Sequence, residues 1–265
     1  MGWGDELMVT GQVRVMQERD PRKVRVQYER PRWFDAYDHN PRIAVLEEQG
    51  NFQVLQPRVN GLRPYCSKKT PYQWTWQRYQ PPVGELYFSP KELAFGAQFA
   101  GRVIIEPHNK PGASPNKQWG WVRWNKLVWL LGKYGITATQ LGPAGTPLVE
   151  GAAFIETPTL RHAAAVLSKA RGCVVPEGGL HHTAAVFKVP AVVIFGGFIS
   201  PEVTGYAGQV SLFVEDEKHP LGCGWRLPCE HCAKAMASIT PETVADKLRG
   251  LLENGNQELA RDLAA

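Results

Sequence analysis

The sequence predicts an α/β protein whose second half is a parallel sheet flanked by helices, and three observations predict it. Cys173–Phe195 reads as strand, glycine-rich turn, helix and strand, with apolar runs Cys173–Val175 and Ala191–Phe195 at its ends. From Arg102 onward, short apolar runs alternate with segments of helical periodicity, the pattern of strands joined by crossover helices. The chain is 265 residues long, 43% hydrophobic and 21% charged, enough for one large domain or two medium ones with a buried core.

Taken in order, Leu7, Met8, Val9, Val13 and Met16 give residues 5–19 helical spacing after a tight turn at Gly2-Trp3-Gly4. Val24–Tyr28 reads as a strand, a short helix or turn lies between Pro31 and Pro41, and Ile43–Leu46 reads as a second strand. Residues 56–82 dissolve into Pro, Gly and aromatic residues and predict a long loop. A helix follows from Pro90 to Phe99, then a buried strand at Arg102–Glu106 and a loop at His108-Asn109-Lys110-Pro111-Gly112. Next come an amphipathic helix over 121–132, a strand at Thr137–Leu141, a loop at Gly142–Pro147 and a helix at Thr159–Lys169. Thr157-Pro158-Thr159 supplies cap chemistry for that helix. After the strand–helix–strand unit, a strand is expected at Val210–Val214 and a helix from Thr240-Pro241-Glu242 to about Glu253, opened by a capping threonine and a first-turn proline.

Charge is uneven: residues 1–132 hold 19 Lys and Arg against 12 Asp and Glu, residues 133–265 hold 11 against 13. The basic half suggests an anionic partner, or else a solvated surface. No run of about 18 apolar residues and no basic-then-apolar leader pattern is present, so a cytoplasmic protein without a membrane span is expected. Five cysteines fit a reducing compartment better than a disulfide framework.

The strongest local signal is Glu177-Gly178-Gly179-Leu180-His181-His182, where a strand meets a helix N-terminus. In open α/β sheets ligands bind outside the carboxyl ends of strands, and free N–H groups there favour an anion such as a phosphate. The glycines permit close approach, Glu177 can accept from sugar hydroxyls, and His182 can donate to a phosphate oxygen; a packed strand-to-helix turn is the plainer alternative. Two adjacent helical histidines are not expected to share a metal. Asp5 is either an N-cap or a general base. Lys117, in a loop after a buried strand, could neutralise a diphosphate. Trp119, Trp121, Trp124 and Trp129 read as core. Trp74, Trp76 and Tyr79 among Lys68, Lys69 and Arg78 suit stacking on bases or sugars, or a loop packed by its own aromatics. Cys229-x-x-Cys232, with Cys223 upstream and His231 between, lacks a second Cys-x-x-Cys, and no metal is assigned to it.

Together these pieces resemble the heptosyltransferase-type glycosyltransferases of family 9, which have the two-domain GT-B fold. The opening GWGDELMVTGQVRVMQERDP is similar to that family's G-x-GD turn and helix, and NKQW at 116–119 to its donor loop. PEGGLHHTAAVFKVPAVVIFGGFISPEVTGY resembles its nucleotide-sugar segment, and Cys229-Glu230-His231-Cys232 with Ser238-Ile239-Thr240-Pro241-Glu242 its late cysteine pair and final helix. The resemblance covers residues 101–250 well and 20–100 thinly. It implies an α/β, GT-B-like fold of two Rossmann-like domains facing a cleft. Residues 1–100 would be a shortened acceptor-side domain whose first strand is absent or shortened. Residues 101–265 would be a donor-side domain whose final helix returns to the first. It further implies inverting transfer of a sugar from a nucleotide diphosphate sugar, with no metal needed where protein cations stabilise the diphosphate; no tightly bound cofactor and a monomer are expected. Asp5 would be the base, Lys117 would meet the phosphates, and Glu177, Gly178, Gly179 and His182 would line the donor. Glu177-Gly178 stands where the family has Asp-Ser or Asp-Thr, so the donor sugar is open. The acceptor is either a saccharide of lipopolysaccharide type or a hydroxymethylated base in DNA, met by Arg30, Arg32, Lys68, Lys69, Trp74 and Trp76. A catalytically inactive GT-B-fold protein that binds nucleotide or nucleic acid is the alternative.

Overall fold

The second half of the chain folds around a six-stranded, all-parallel sheet, and its strand order fixes where a ligand can enter. The computed structural model describes residues 2–58, 62–110 and 112–262. Pro111 of the loop expected at 108–112 and residues 59–61 of that expected at 56–82 lie outside the described residues, as do Met1 and 263–265.

In chain order the elements are α1 (Trp3–Gln17), β1 (Val24–Val26), β2 (Gln53–Leu55), β3 (Cys66–Thr70), β4 (Gln73–Trp76), α2 (Pro90–Ala97), β5 (Val103–Ile105), α3 (Trp121–Lys133) and β6 (Ala138–Gly142). There follow β7 (Ala153–Glu156), α4 (Leu160–Leu167), β8 (Gly172–Pro176), α5 (Gly179–Val186), β9 (Ala191–Gly196), α6 (Pro201–Thr204), β10 (Val210–Phe213), α7 (Glu230–Ser238) and α8 (Pro241–Asp262). The sheet runs β10-β9-β8-β5-β6-β7, so counting from β5 the order is that of a Rossmann sheet, reversing between β5 and β8. Strands β5, β6, β8 and β9 are buried along their whole length, as strands covered on both faces must be.

Helix α1 begins at Trp3, with Gly2 as its N-cap, so the expected turn at Gly2-Trp3-Gly4 is the helix's own first turn. The cause is Asp5, which sits at the third helical position and accepts the Gly2 N–H at 3.0 Å, closing the first turn from inside. Among the described residues the first half holds one parallel pair, β1 with β2, joined by a single bridge from Val24 to Ile43 where a strand through Leu46 was expected. Leu7, Val9 and Val13 of α1 pack there with Val24, Val26, Ile43 and Tyr37.

The stretch 56–82 is not loop throughout: β3 and β4 form an antiparallel hairpin. It docks on the second half through Trp74 N–H to Gly224 O (2.9 Å), Trp76 Nε1 to Phe198 O (2.8 Å) and Gln73 Nε2 to Cys223 O (3.1 Å). Its strand character comes from that docking, which no local periodicity records. On α3 the core positions are Trp124, Leu127, Val128 and Leu131. Trp121 and Trp129 stay 42% and 51% exposed, contrary to the core reading. Trp124 and Trp129 lie about 140° apart on a helix, so one buried face cannot hold both. Trp129 is instead flanked by the ammonium groups of Lys126 and Lys133, 4.0 and 3.7 Å from its ring centre. Helix α8 buries Val244, Ala245, Leu248 and Leu252 with α3 and the sheet rather than on the first half.

Candidate active site

Where a Rossmann order reverses, the loops leaving two neighbouring strands diverge and open a crevice at their carboxyl ends. Here those strands are β5, leading into Glu106–Lys110, and β8, leading into Glu177–Gly179. A cavity of about 650 Å³ occupies this position.

Helix α1 closes the cavity from the first half, because glycines let it lie directly on α5. A Cβ at Gly4 would fall 2.1 Å from His182 Cδ2, and one at Gly179 would fall 2.9 Å from Trp3 Cδ1. Trp3 Nε1 donates to Thr183 Oγ1 at 3.1 Å and locks the contact. The packing brings Asp5 into the same cavity as Lys117, Glu177, Gly178, Gly179 and His182.

Asp5 is held by three donors. Tyr65 donates to Oδ1 at 2.6 Å, while the Arg63 guanidinium and the Gly2 N–H share Oδ2. Burial and the Asp5 charge push the Tyr65 phenol far up, so it remains a donor. Lys117 ends the short 3-10 turn Pro115–Lys117 and pairs with Glu177, which also accepts from Thr204 Oγ1 at 3.3 Å. Burial alone would raise the Glu177 carboxyl, but the Lys117 ammonium, His181 and these hydrogen bonds outweigh it and hold it low.

His181 and His182 face each other more closely than their adjacency suggested, with ring centres 3.9 Å apart. His181 Nδ1 accepts the Gly178 N–H at 2.9 Å, so its Nε2–H donates to Thr204 O at 2.9 Å. His182 Nδ1 bonds the Tyr206 hydroxyl at 2.8 Å. Burial pushes both imidazoles down, His182 furthest because His181, Lys117 and Arg63 add to it. Ligand atoms of Glu177, His181 and His182 lie within 4.8 Å of one another. Each residue is committed to a protein partner, and the trio does not read as a metal centre.

Burial pushes the Glu106 carboxyl up to about 8, against the His108 N–H that donates to it at 2.8 Å. The lining sets four basic side chains (Arg63, Lys110, Lys117 and Arg226) against Asp5 and Glu177, an excess suited to a diphosphate, with burial pushing the Lys110 ammonium down from its ordinary value. The buried Arg63 Nε and Trp74 Nε1 have no partner among the described residues.

Trp74 and Trp76 line the cavity edge to face with each other, and Arg226 lies 5.0 Å over the Trp74 ring. Arg30, Arg32, Lys68 and Lys69, expected on the acceptor side, are exposed and do not line it. Arg63, Tyr65 and Arg226 were missed by sequence reasoning, because they sit in stretches without periodicity. Glu106, His108 and Lys110 carried a usable signal: they leave the first strand of a Rossmann unit, where the crevice opens.

Away from the cavity, Cys223, Cys229, His231 and Cys232 bring their ligand atoms within 4.8 Å of one another. The missing second Cys-x-x-Cys is replaced by one thiol from the loop before α7.

No family model and no curated protein sequence matches this chain. Among solved structures, the glycosyl transferase family 9 protein from Veillonella parvula aligns over 96% of this chain and 95% of its own, with TM-score 0.66 and 13% identity. E. coli ADP-heptose lps heptosyltransferase II aligns over 67% of this chain and 56% of its own, with TM-score 0.49 and 18% identity. E. coli heptosyltransferase WaaC with ADP aligns over 65% and 52%, with TM-score 0.44 and 18% identity. The chain thus spans little more than half the length of these two E. coli enzymes. At such identities the likeness is one of fold, and the fold is α/β and GT-B-like, similar to that of the family 9 structure.

Proposed function

We propose that the chain is a glycosyltransferase that moves a sugar from a nucleotide diphosphate sugar to an acceptor hydroxyl. One observation carries the reading: the Asp5 carboxylate and a cationic wall share one cavity at the switch point of a GT-B-like fold. In the reaction, the acceptor oxygen attacks the anomeric carbon and the carbon–oxygen bond to the diphosphate breaks. The acceptor proton passes to Asp5, and the electron pair stays on the leaving diphosphate. Lys117, Lys110 and the N–H groups opening α5 stabilise that charge, and one such displacement inverts the anomeric centre. Protein cations do here what a divalent metal does elsewhere. Residues 1–100 supply the acceptor side and residues 101–265 the donor side. The unpartnered N–H groups of Arg63 and Trp74 support a ligand with oxygen acceptors, since buried donors are otherwise satisfied.

Release of nucleoside diphosphate from a panel of nucleotide sugars, with saccharide and hydroxymethylated-DNA acceptors, tests the reading. Asp5→Asn is expected to lower turnover by about 100-fold or more while donor binding persists; unchanged turnover overturns the base. Exposed Arg30, Arg32, Lys68 and Lys69 support a DNA acceptor if binding falls steeply with salt, and salt-independent behaviour favours a saccharide. A second reading, nucleotide binding without turnover, is favoured by the saturation of Asp5 with three donors. Nucleotide-dependent melting shifts with no product against any acceptor select it.

A further inference from the structure

We propose that Cys223, Cys229, His231 and Cys232 form a structural zinc site that fixes the cationic wall of the cavity. Cys229 caps α7 and Cys232 lies on its first turn, so both thiols emerge at one helix end. Cys223 reaches them from a loop bent by Gly222 and Gly224, at φ of 95° and 65°, a conformation that favours glycine. Cys223 Sγ lies 3.8 Å from Cys229 Sγ and 3.0 Å from Cys232 Sγ, and His231 Nδ1 lies 3.8 Å from Cys232 Sγ. Bonded sulphurs would sit at about 2.05 Å, so these are not disulfides. Tetrahedral zinc with bonds of about 2.3 Å spaces its sulphurs about 3.8 Å apart, which is the Cys223–Cys229 separation; the Cys223–Cys232 pair, at 3.0 Å, has to open by less than about 1 Å to take the ion.

The imidazole adds a second, independent sign. With Nδ1 towards the sulphurs, His231 Nε2 lies 3.1 Å from Asp216 Oδ2 without hydrogen-bond alignment, near enough for a small turn of the ring to bring the carboxylate into the position that orients a metal-ligating histidine. Three soft sulphurs and one imidazole, with Cys223 and Cys232 buried, make a closed set suited to zinc and offer no open position for catalysis. None of the four residues lines the cavity.

What the metal would hold is the loop between its ligands. Asn116 Nδ2 donates to Trp225 O and Leu227 O, both at 2.7 Å, and Asn116 Oδ1 accepts the Cys229 N–H at 3.1 Å. Ser114 Oγ donates to Trp225 O at 2.9 Å. Ser114 and Asn116 belong to the turn that ends in Lys117, and Arg226 projects from the clasped loop into the cavity. Closing Cys223 onto α7 therefore positions two of the four cavity cations at once. The site stands whether or not the cavity transfers a sugar.

Elemental analysis of the purified full chain tests the proposal. About one zinc per chain is expected, retained in Cys66→Ser and Cys173→Ser and lost in Cys223→Ser and Cys232→Ser. Should those two variants fail to fold, the wild-type protein decides alone. Cobalt exchanged into it should give thiolate charge-transfer and tetrahedral d–d bands, and stripping the zinc should lower Tm by more than about 5 °C. Metal-free protein with freely titrating thiols, or a mapped Cys223–Cys232 disulfide, overturns the site. Iron in place of zinc overturns the choice of metal. An unchanged Tm after zinc removal overturns the clamp.

Discussion

Gly4 lies directly against the imidazole of His182, so closely that a side chain at residue 4 would begin 2.1 Å from a ring carbon. This contact, and that of Trp3 with Gly179, hold the first half's helix on the second half's crevice. Gly4→Ala is expected to destabilise by about 2 kcal/mol, since the two helices must separate to admit a methyl group. Gly178→Ser should stay within about 0.5 kcal/mol of wild type, because a Cβ there meets only Pro176 O at 3.9 Å. Urea unfolding of both variants checks the contrast; equal losses would show that steric approach at Gly4 is not the cause.

Lys117→Met should leave Glu177 as a buried carboxylate without its cation, a loss of about 3 kcal/mol at neutral pH. The sign with pH follows from the wild-type pair. Glu177 is held below its ordinary 4.5, so the pair stabilises above that value and the stabilisation fades as pH falls through the folded one. In the variant, burial acts without the ammonium to oppose it, and protonation of the carboxyl at low pH relieves the cost. The gap between variant and wild type should therefore narrow below about pH 4.5, as read from melting curves across pH.

Glu106 behaves in the opposite sense. Its carboxyl is raised from 4.5 to about 8, so the folded state keeps a proton that the unfolded chain releases. Stability is lost as pH rises between those values, by about 3 kcal/mol from pH 5 to pH 8. Glu106→Gln should flatten this slope and be the more stable protein at pH 8. A slope unchanged by the substitution would assign it to other groups.

The two halves also meet at a buried ion pair, Arg161 of α4 with Glu92 of α2, at 2.5 and 2.9 Å. Hydrogen bonds from Arg161 and Ser89 hold the Glu92 carboxyl at about 2, although burial opposes them. Its contribution is present above 4.5 and lost as pH falls toward 2. Arg161→Met should cost about 3 kcal/mol at pH 7 and less near pH 3; equal losses at both would remove the pair as the cause.

Legibility followed the range of the forces involved. The Rossmann half could be read because its strands are buried on both faces and its helices have one apolar face, and both leave periodic marks. That Glu177 and His182 line the cavity could be read because they flank glycines where β8 meets α5, and Lys117 because it lies in the loop that follows β5. The hairpin could not: its strands exist by virtue of Gly224 and Phe198, more than 120 residues away in sequence. Arg63 and Tyr65 escaped for the same reason, since nothing near them in the chain marks Asp5 as their partner. The cysteine cluster was half legible, its Cys-x-x-Cys being local and its third thiol depending on a turn at two glycines.

The hairpin belongs by chain to one half and by hydrogen bonds to the other, and that has a mechanical meaning. With Gly4 pressed on His182 at one side and Trp74 bonded to Gly224 at the other, the cavity is tethered on two flanks. A clamshell opening would have to tear one tether. The same tethers hold Trp74 beside Arg226.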